Sequence, residues 1–511
     1  MERPTEIFLA YVEQALFALG AVLLLGFFLV LVWVAVAYLV DVTQTGHAIR
    51  RNFPVIGRFR YFFEHLGEFF RQYFFAMDRE ELPFNRAQRG WVYRAAKNID
   101  NTVAFGSTRD LRNPGGIIFV NAPFPTLGTD AAAARPLTIG PDCDAPFTTA
   151  SMVNISGMSY GAISKPAVQA LSRGAALAGC WINTGEGGLS PYHLEGNANV
   201  VFQIGTAKYG VRTLDGKLSD DKLREIGRRH NVRMFELKLS QGAKPGKGGI
   251  LPAGKVNDEV AMIRGIPVGK ASISPNRHPE IDSNTDLLQM MHHLREATGK
   301  PAGFKTVLGG AQWLDELFSE VHRLGLDYAP DFITVDGAEG GTGAAPMPLI
   351  DDVGLPLGES LPLLVDKLDE YNLRERVRVI ASGKLVHPTT VAWALCMGAD
   401  FITTARGFMF SLGCIQALQC NRNTCPTGIT THNPKLQKGL NPEDKAVRVA
   451  NYARNLEYEV GLIAHACGVR SPRDLKRQHA RIVQSDGRSV PLDVLFPGTA
   501  SGTAGEPRRA P

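Results

Sequence analysis

Hydrophobic and polar positions along this chain fall into three regimes. From Ala15 to Val40 no residue is charged, a run of 26 residues (ALFALGAVLLLGFFLVLVWVAVAYLV). As a helix this run is roughly 39 Å long, more than the ~30 Å hydrocarbon core of a bilayer, so it can span with tilt. Between 46 and 90, aromatic residues are interleaved with arginine and glutamate (NFPVIGRFRYFFEHLGEFFRQYFF). From about residue 150, short apolar runs recur, each followed by glycines and then a helical stretch.

The first regime has two competing readings. Ala35-Val36-Ala37 mimics a signal-peptide cleavage site. A signal peptide, however, carries positive charge ahead of its apolar run. Here Glu2, Glu6 and Glu13 outnumber Arg3, and the apolar run continues past the cut. A buried helix of a soluble domain would be shorter. A transmembrane helix is therefore the expectation. Arg50, Arg51, Arg58 and Arg60 follow it closely and only Arg3 precedes it, which puts the large C-terminal part in the cytoplasm. The expected location is the inner (cytoplasmic) membrane, crossed once. Phe53, Phe59, Tyr61, Phe62, Phe63, Phe69, Phe70, Tyr73, Phe74 and Phe75 then mark an aromatic and basic juxtamembrane segment. It reads either as an amphipathic helix at the membrane interface or as a helix packed on the main domain.

The third regime contains eight candidate strands: Met152–Ile155, Cys180–Thr184, Val200–Ile204, Arg233–Lys238, Gly303–Val307, Asp331–Val335, Val377–Ala381 and Phe401–Thr404. Strand–helix alternation argues for a parallel sheet. Eight such units predict an α/β fold of the (β/α)8 TIM barrel type, with a doubly wound open sheet as the alternative. Residues 91–148 read as short strands and loops leading in, and Ala446–Ala466 as a closing helix. The expected organisation is a transmembrane anchor at 1–45, a juxtamembrane helical region at 46–110, the barrel at 111–475 and a partly disordered tail at 476–511.

Charge and cysteine content narrow the class. The net charge of +5 over 511 residues is mild and forms no basic stripe, which speaks against nucleic acid. Three of the seven cysteines, Cys414, Cys420 and Cys425, lie within twelve residues in SLGCIQALQCNRNTCPTG. A C-x5-C-x4-C run ending in Pro426 suits the thiolate ligands of an iron–sulfur cluster, and three ligands suggest a 3Fe–4S cluster. Such a cluster needs reduced thiols, consistent with a cytoplasmic setting.

Glycine-rich motifs follow the predicted strands, where a barrel builds its active site. Gly340-Gly341-Thr342-Gly343, Ser382-Gly383-Lys384 and Thr404-Ala405-Arg406-Gly407 follow three late strands. Such loops hold phosphate groups through backbone N–H groups, or else are simply tight turns. A phosphate-bearing cofactor beside an iron–sulfur cluster points to FMN, with Lys305 able to stabilise charge at the flavin edge. Glu236 and Lys238 share a strand face, and Lys238, Gln241 and Lys244 converge where that strand turns into its loop. Two ammonium groups and an amide suit a dicarboxylate or 2-oxo acid. Glu186, flanked by Gly185 and Gly187, suits an ammonium or imine group. His278 reads equally as a site residue or a surface histidine. No G-x-G-x-x-G opens a helix after a strand, so electrons are expected from a partner.

Together, MSYGAIS, NTGEGG, KLSQGAKPGKGGILP, ISPNRH, EGGTGAAP and GCIQALQCNRNTCPTG resemble the FMN-binding synthase domain of glutamate synthase, from about Met152 to Gly468. The resemblance implies a (β/α)8 barrel with FMN at its mouth and a 3Fe–4S cluster. Reduced flavin there delivers hydride to 2-iminoglutarate, made from 2-oxoglutarate and ammonia. By position, Cys414, Cys420 and Cys425 would hold the cluster, and Met158 and Ser159 would lie near flavin and substrate. Glu186, Lys238, Gln241 and Lys244 would form the 2-oxo-acid and imine pocket, and Lys305, Gly341, Gly343, Gly383 and Arg406 would touch FMN.

The chain departs from that family in opening on Met1-Glu2-Arg3 and an apolar run rather than a cysteine nucleophile, so no internal ammonia source is expected. The family's Pro-Pro-Pro-His-His-Asp reads Pro275-Asn276-Arg277-His278-Pro279-Glu280, and its Asp-Gly-Gly reads Ala381-Ser382-Gly383. The layout resembles the membrane-anchored, stand-alone glutamate-synthase-domain proteins of bacteria. The expected partners are a 2-oxo acid, ammonia or an amine, and an external electron donor: ferredoxin, an NADPH-oxidising subunit or the quinone pool. Alternative readings are an N-methylglutamate synthase-like enzyme, a membrane amino-acid dehydrogenase, and a non-catalytic electron-transfer or scaffold subunit. The retained Glu186, Lys238, Gln241 and Lys244 argue against the last.

Overall fold

Strands buried on both faces must be apolar nearly throughout, and the eight runs that meet this condition close into one parallel barrel in a computed structural model that describes residues 4–498. In chain order they are β1 (Val153–Ile155), β2 (Trp181–Asn183), β3 (Asn199–Ile204), β4 (Val232–Lys238), β5 (Ala302–Thr306), β6 (Phe332–Asp336), β7 (Arg378–Ser382) and β8 (Phe401–Thr404). Each strand pairs in parallel with the next, and β8 returns to β1 through Ile402–Val153, Thr403–Asn154 and Thr404–Ile155. The closed order excludes the open sheet.

The barrel interior is layered. At the N-terminal ends of the strands, Trp181, Val201, Met234, Phe332, Ile380 and Phe401 cluster with Ile139 and Phe147. The last two come from an antiparallel hairpin, Leu137–Ile139 with Phe147–Thr149, which stoppers the base. The Trp181 ring meets Phe147 and Phe401 edge-on, at 6.0 and 5.2 Å between centroids. Gly303 is required in β5, because a Cβ there would stand 2.2 Å from the Phe332 carbonyl oxygen.

Above this apolar layer the interior turns polar around Glu236. Its carboxylate accepts from Asn183 Nδ2 at 2.8 Å, Gln203 Nε2 at 2.7 Å and Thr334 Oγ1 at 2.6 Å, so β2, β3 and β6 all donate to one buried residue of β4.

Outside the barrel, the helix Lys165–Ala178 packs on the long helix Pro442–Ala466 through Gly174, where a Cβ would overlap the Val449 side chain. The helix Arg86–Ala96 joins the same layer, with Trp91 Nε1 donating to the Glu459 carboxylate at 2.9 Å. Within 476–511, read above as a tail, Ala480–Val483 and Ser489–Pro491 are strands. Ala480–Val483 pairs antiparallel with Ile117–Phe119. Residues 499–511 lie outside the described residues.

The chain divides into two units, Met1–Ala87 and Gln88–Pro511. The first contains α1 (Pro4–Thr43), whose stretch Tyr11–Thr43 is long and apolar enough to cross a membrane.

Candidate active site

The base hairpin leaves the C-terminal ends of the strands open, and polar residues gather at those ends. There Gly157, Met158, Ser159, Glu186, Lys238, Gln241, Lys244, Gly341, Gly343, Arg406 and Cys420 line one cleft. It brings together ten residues predicted above, from the ends of five of the eight strands and the loops after them.

Glu186 is the electrostatic centre. It sits in a short turn, Gly185–Gly187, that follows β2. Gly185 has φ +63°, and a Cβ there would stand 2.6 Å from Ser159 N, so this turn needs glycine. Gly249 is equally constrained, since a Cβ would lie 2.1 Å from Glu186 Oε1. The Lys238 ammonium is 3.1 Å from Glu186 Oε2 and also donates to Gln241 Oε1. Burial works against the charged form of Glu186, but Lys238 and Lys244 outweigh it and hold the carboxyl below its usual range. Burial, reinforced by Lys238, pushes the Lys244 ammonium down to about 8.

Lys305 does not line the cleft. It lies beneath, in register with Lys238, with its ammonium 3.2 Å from Asp336 Oδ2. Burial would lower its pKa, but Asp336 and Glu236 outweigh it and hold the ammonium above its usual range. Asp336 also accepts from Gly242 N–H at 2.8 Å, which ties β6 to the loop carrying Gln241 and Lys244.

The late glycine loops separate. Arg406 Nη2 donates to the Thr342 carbonyl at 2.6 Å, folding the guanidinium over Gly341. Gly383, at φ +137°, lines a neighbouring cleft with Glu339, Lys384 and Trp393 instead. His278 is buried rather than on the surface. Its Nε2–H donates to the Lys238 carbonyl at 3.0 Å, and burial drives its pKa down to about 4, so the ring is neutral.

Several groups here carry no sequence signature. Arg264, in the helix Asp258–Arg264, reaches Ser159 Oγ at 3.3 Å and stacks on Tyr209 at 5.1 Å. Lys255 donates to the carbonyls of Ala162, Cys420 and Thr430 at 3.2, 2.8 and 2.6 Å. It thereby pins the cysteine loop to the cleft wall. Gln203 and Asp336 emerge only once β3 pairs with β4 and β6 pairs with β5.

Of the three clustered cysteines, Cys420 borders the cleft, Cys425 is buried and Cys414 is half-buried. Burial raises the Cys414 thiol. Burial also opposes ionisation of Cys425, but hydrogen bonds from Thr427 and Thr430 prevail and lower its pKa. Among the described residues, no three His, Cys, Asp or Glu side chains gather closely enough to hold a single metal ion. Thiolates that bind different irons of one cluster stand farther apart than the ligands of one ion. The three thiols are near enough to act on one another electrostatically, with Lys255 close to Cys420 and Cys425.

Comparison with known proteins places this geometry in context. Residues 128–470 match the model described as the conserved region in glutamate synthase. The chain is 41% identical over 498 residues to the glutamate synthase large subunit-like protein YerD of Bacillus subtilis, covering 90% of this chain and 94% of that one. It is 35% identical over 326 residues to the archaeal-type glutamate synthase [NADPH] of Thermotoga maritima, covering 63% of this chain and 61% of that protein. Among solved structures it is similar to a flavocytochrome b2 variant with benzoylformate, at 16% identity and a TM-score of 0.46 over 84% of this chain and 87% of the other.

Proposed function

This chain belongs to the glutamate synthase family and is an oxidoreductase of that kind, and on that premise we propose that it catalyses FMN-dependent reductive amination of a 2-oxo acid, 2-oxoglutarate foremost. Cys414, Cys420 and Cys425 would hold a 3Fe–4S cluster, which would supply the electrons from an external donor. The observation that carries this reading is the convergence of Glu186, Lys238, Gln241 and Lys244 in a cleft bordered by Cys420.

The residues present fit both groups. Gly157, Gly341 and Gly343 expose backbone along the cleft, where a planar ring can lie beside Met158 and a phosphate can reach N–H groups near Arg406. The three thiols, with Lys255 beside two of them, suit a cluster whose net charge is negative. When bound, the flavin supplies hydride and the cluster supplies electrons one at a time.

The side chains then divide the work. Lys238 and Lys244 bind substrate carboxylates, and Gln241 orients them. Ammonia condenses with the 2-oxo carbonyl and water leaves. Reduction would add hydride at the imine carbon and a proton, drawn from solvent, at its nitrogen. Glu186, ionised by its ammonium neighbours, holds the imine N–H and fixes the face presented to hydride. His278 stays neutral and fixes the Lys238 backbone from behind.

The α1 helix crosses the membrane once, with the barrel on the cytoplasmic side. It favours a second reading, an amino-acid dehydrogenase that runs the same chemistry in reverse and passes electrons to a membrane quinone. Anaerobic purification in detergent separates the two. Dithionite-bleached flavin that reoxidises on 2-oxoglutarate plus ammonium supports the synthase. Rapid reoxidation by a quinone, with none by any 2-oxo acid, supports the dehydrogenase. Absence of bound flavin defeats both.

A further inference from the structure

The aromatic stretch after α1 takes no part in the cleft chemistry, and its geometry is specific. In the Met1–Ala87 unit, α2 is Ala48–Asn52 and α3 is Ile56–Phe70. On a 3.6-residue period, Phe59, Phe62, Phe63, Leu66, Phe69 and Phe70 of α3 fall within about 120° of arc. Phe59, Phe62, Phe63 and Phe69 are each more than half exposed. Arg60, Glu64 and Glu68 lie on the opposite arc.

The other side of α3 is occupied. Gly57 packs on α2 so closely that a Cβ would stand 3.0 Å from the Ile49 carbonyl oxygen. Arg58 donates from Nε and Nη2 to the two oxygens of Asp41, at 2.8 and 2.9 Å, and Val55 N–H donates to Asp41 at 3.0 Å. Asp41 is in the last turn of α1. The start of α3 is thus fixed to the end of the apolar helix, with its aromatic face turned outward.

A contiguous aromatic face of this kind marks an interaction surface. Its continuity with α1 identifies the occupant. A helix clamped to the last turn of a membrane span begins at the depth of the lipid headgroups, where aromatic rings are favoured and arginines meet anionic lipid. Arg50 and Arg51, between α1 and α3, supply that positive charge.

We propose that α3 lies in the plane of the membrane interface, with Phe59, Phe62, Phe63 and Phe69 in lipid, and that the Asp41–Arg58 pair sets the elbow between it and the span. This rests on reading α1 as the span, and the test separates the two ideas. The full chain is placed in nanodiscs of phosphatidylcholine and phosphatidylglycerol brominated near either the glycerol end or the methyl end of the acyl chains. Trp33 of α1 reports on the span, isolated by difference from Trp33→Phe. Phe62→Trp and Phe69→Trp report on α3, by difference from the parent.

The expected result is loss of Trp33 emission with bromine in the lipid. The introduced indoles should lose more emission to glycerol-end than to methyl-end bromine. Asp41→Ala should weaken that shallow quenching and leave Trp33 unchanged. Introduced indoles unquenched by either lipid, with Trp33 quenched, would show the face covered by protein, a second copy included, and overturn the proposal alone. Trp33 unquenched by both lipids would overturn the span as well.

Discussion

The Lys238 ammonium stands 3.1 Å from the Glu186 carboxylate, although Lys238 ends β4 and Glu186 sits in the turn after β2. A carboxylate this enclosed stays ionised because Lys238 pairs with it and Lys244 lies near.

Lys244 sets a pH limit. Its ammonium titrates at about 8, pushed there by burial first and by Lys238 second. A dianionic 2-oxo acid prefers the protonated form, so affinity is full below that pH and falls as pH rises through it. KM for 2-oxoglutarate should rise about tenfold per pH unit above 8 in the parent. Lys244→Arg keeps its charge and should flatten the profile. Lys244→Ala should raise KM at all pH values while flavin absorbance stays unchanged. Loss of flavin would assign this residue to the cofactor instead.

Glu186→Gln keeps the shape of the side chain and removes its charge. The imine nitrogen then has no anionic partner, and kcat should fall by about 10²-fold or more. Flavin content should change little, while the melting temperature should fall, because the buried Lys238 ammonium loses its carboxylate partner. An unaltered kcat with a raised KM would make Glu186 a binding residue only.

Cys425→Ser should abolish iron and the cluster's visible absorbance while FMN remains bound. Cys180→Ala, at a thiol buried among core residues beside Trp181, should leave iron content at the parent value. Equal iron loss in both variants would show that folding, not ligation, had been disturbed.

Glu236→Leu should destabilise the barrel itself. Asn183, Gln203 and Thr334 would each keep a buried donor with no acceptor, at a cost of about 3 kcal/mol or more in total. Urea unfolding measures this directly. Glu236→Gln retains an acceptor oxygen and should cost less.

Much of this was legible along the chain, for physical reasons. A parallel strand buried on both faces has to be a short apolar run, so all eight barrel strands announce themselves within a residue or two of their ends. Glycines on both sides of Glu186 and the lysine that ends β4 stand out because a buried strand end has no ordinary use for either. Other features are set by contacts between distant segments. The pairing of Ala480–Val483 with Ile117–Phe119 leaves little trace in either three- or four-residue stretch. Arg264 and Lys255 sit in ordinary-looking polar stretches and are recruited by Ser159 and Cys420 from elsewhere in the fold. Gly383 carries the expected motif yet turns toward Glu339 and Trp393, because its φ of +137° brings its backbone against Gly337.

The hairpin Leu137–Ile139 with Phe147–Thr149 has a consequence for traffic. Among the described residues, Ile139 and Phe147 close the base, so the cleft opens at the C-terminal rim of the barrel. Whatever is consumed and whatever is made must pass the same rim, so an occupied opening bars the next arrival. If turnover is set by how quickly that rim clears, substitutions in the loops around it, rather than in the strands beneath, should change kcat most.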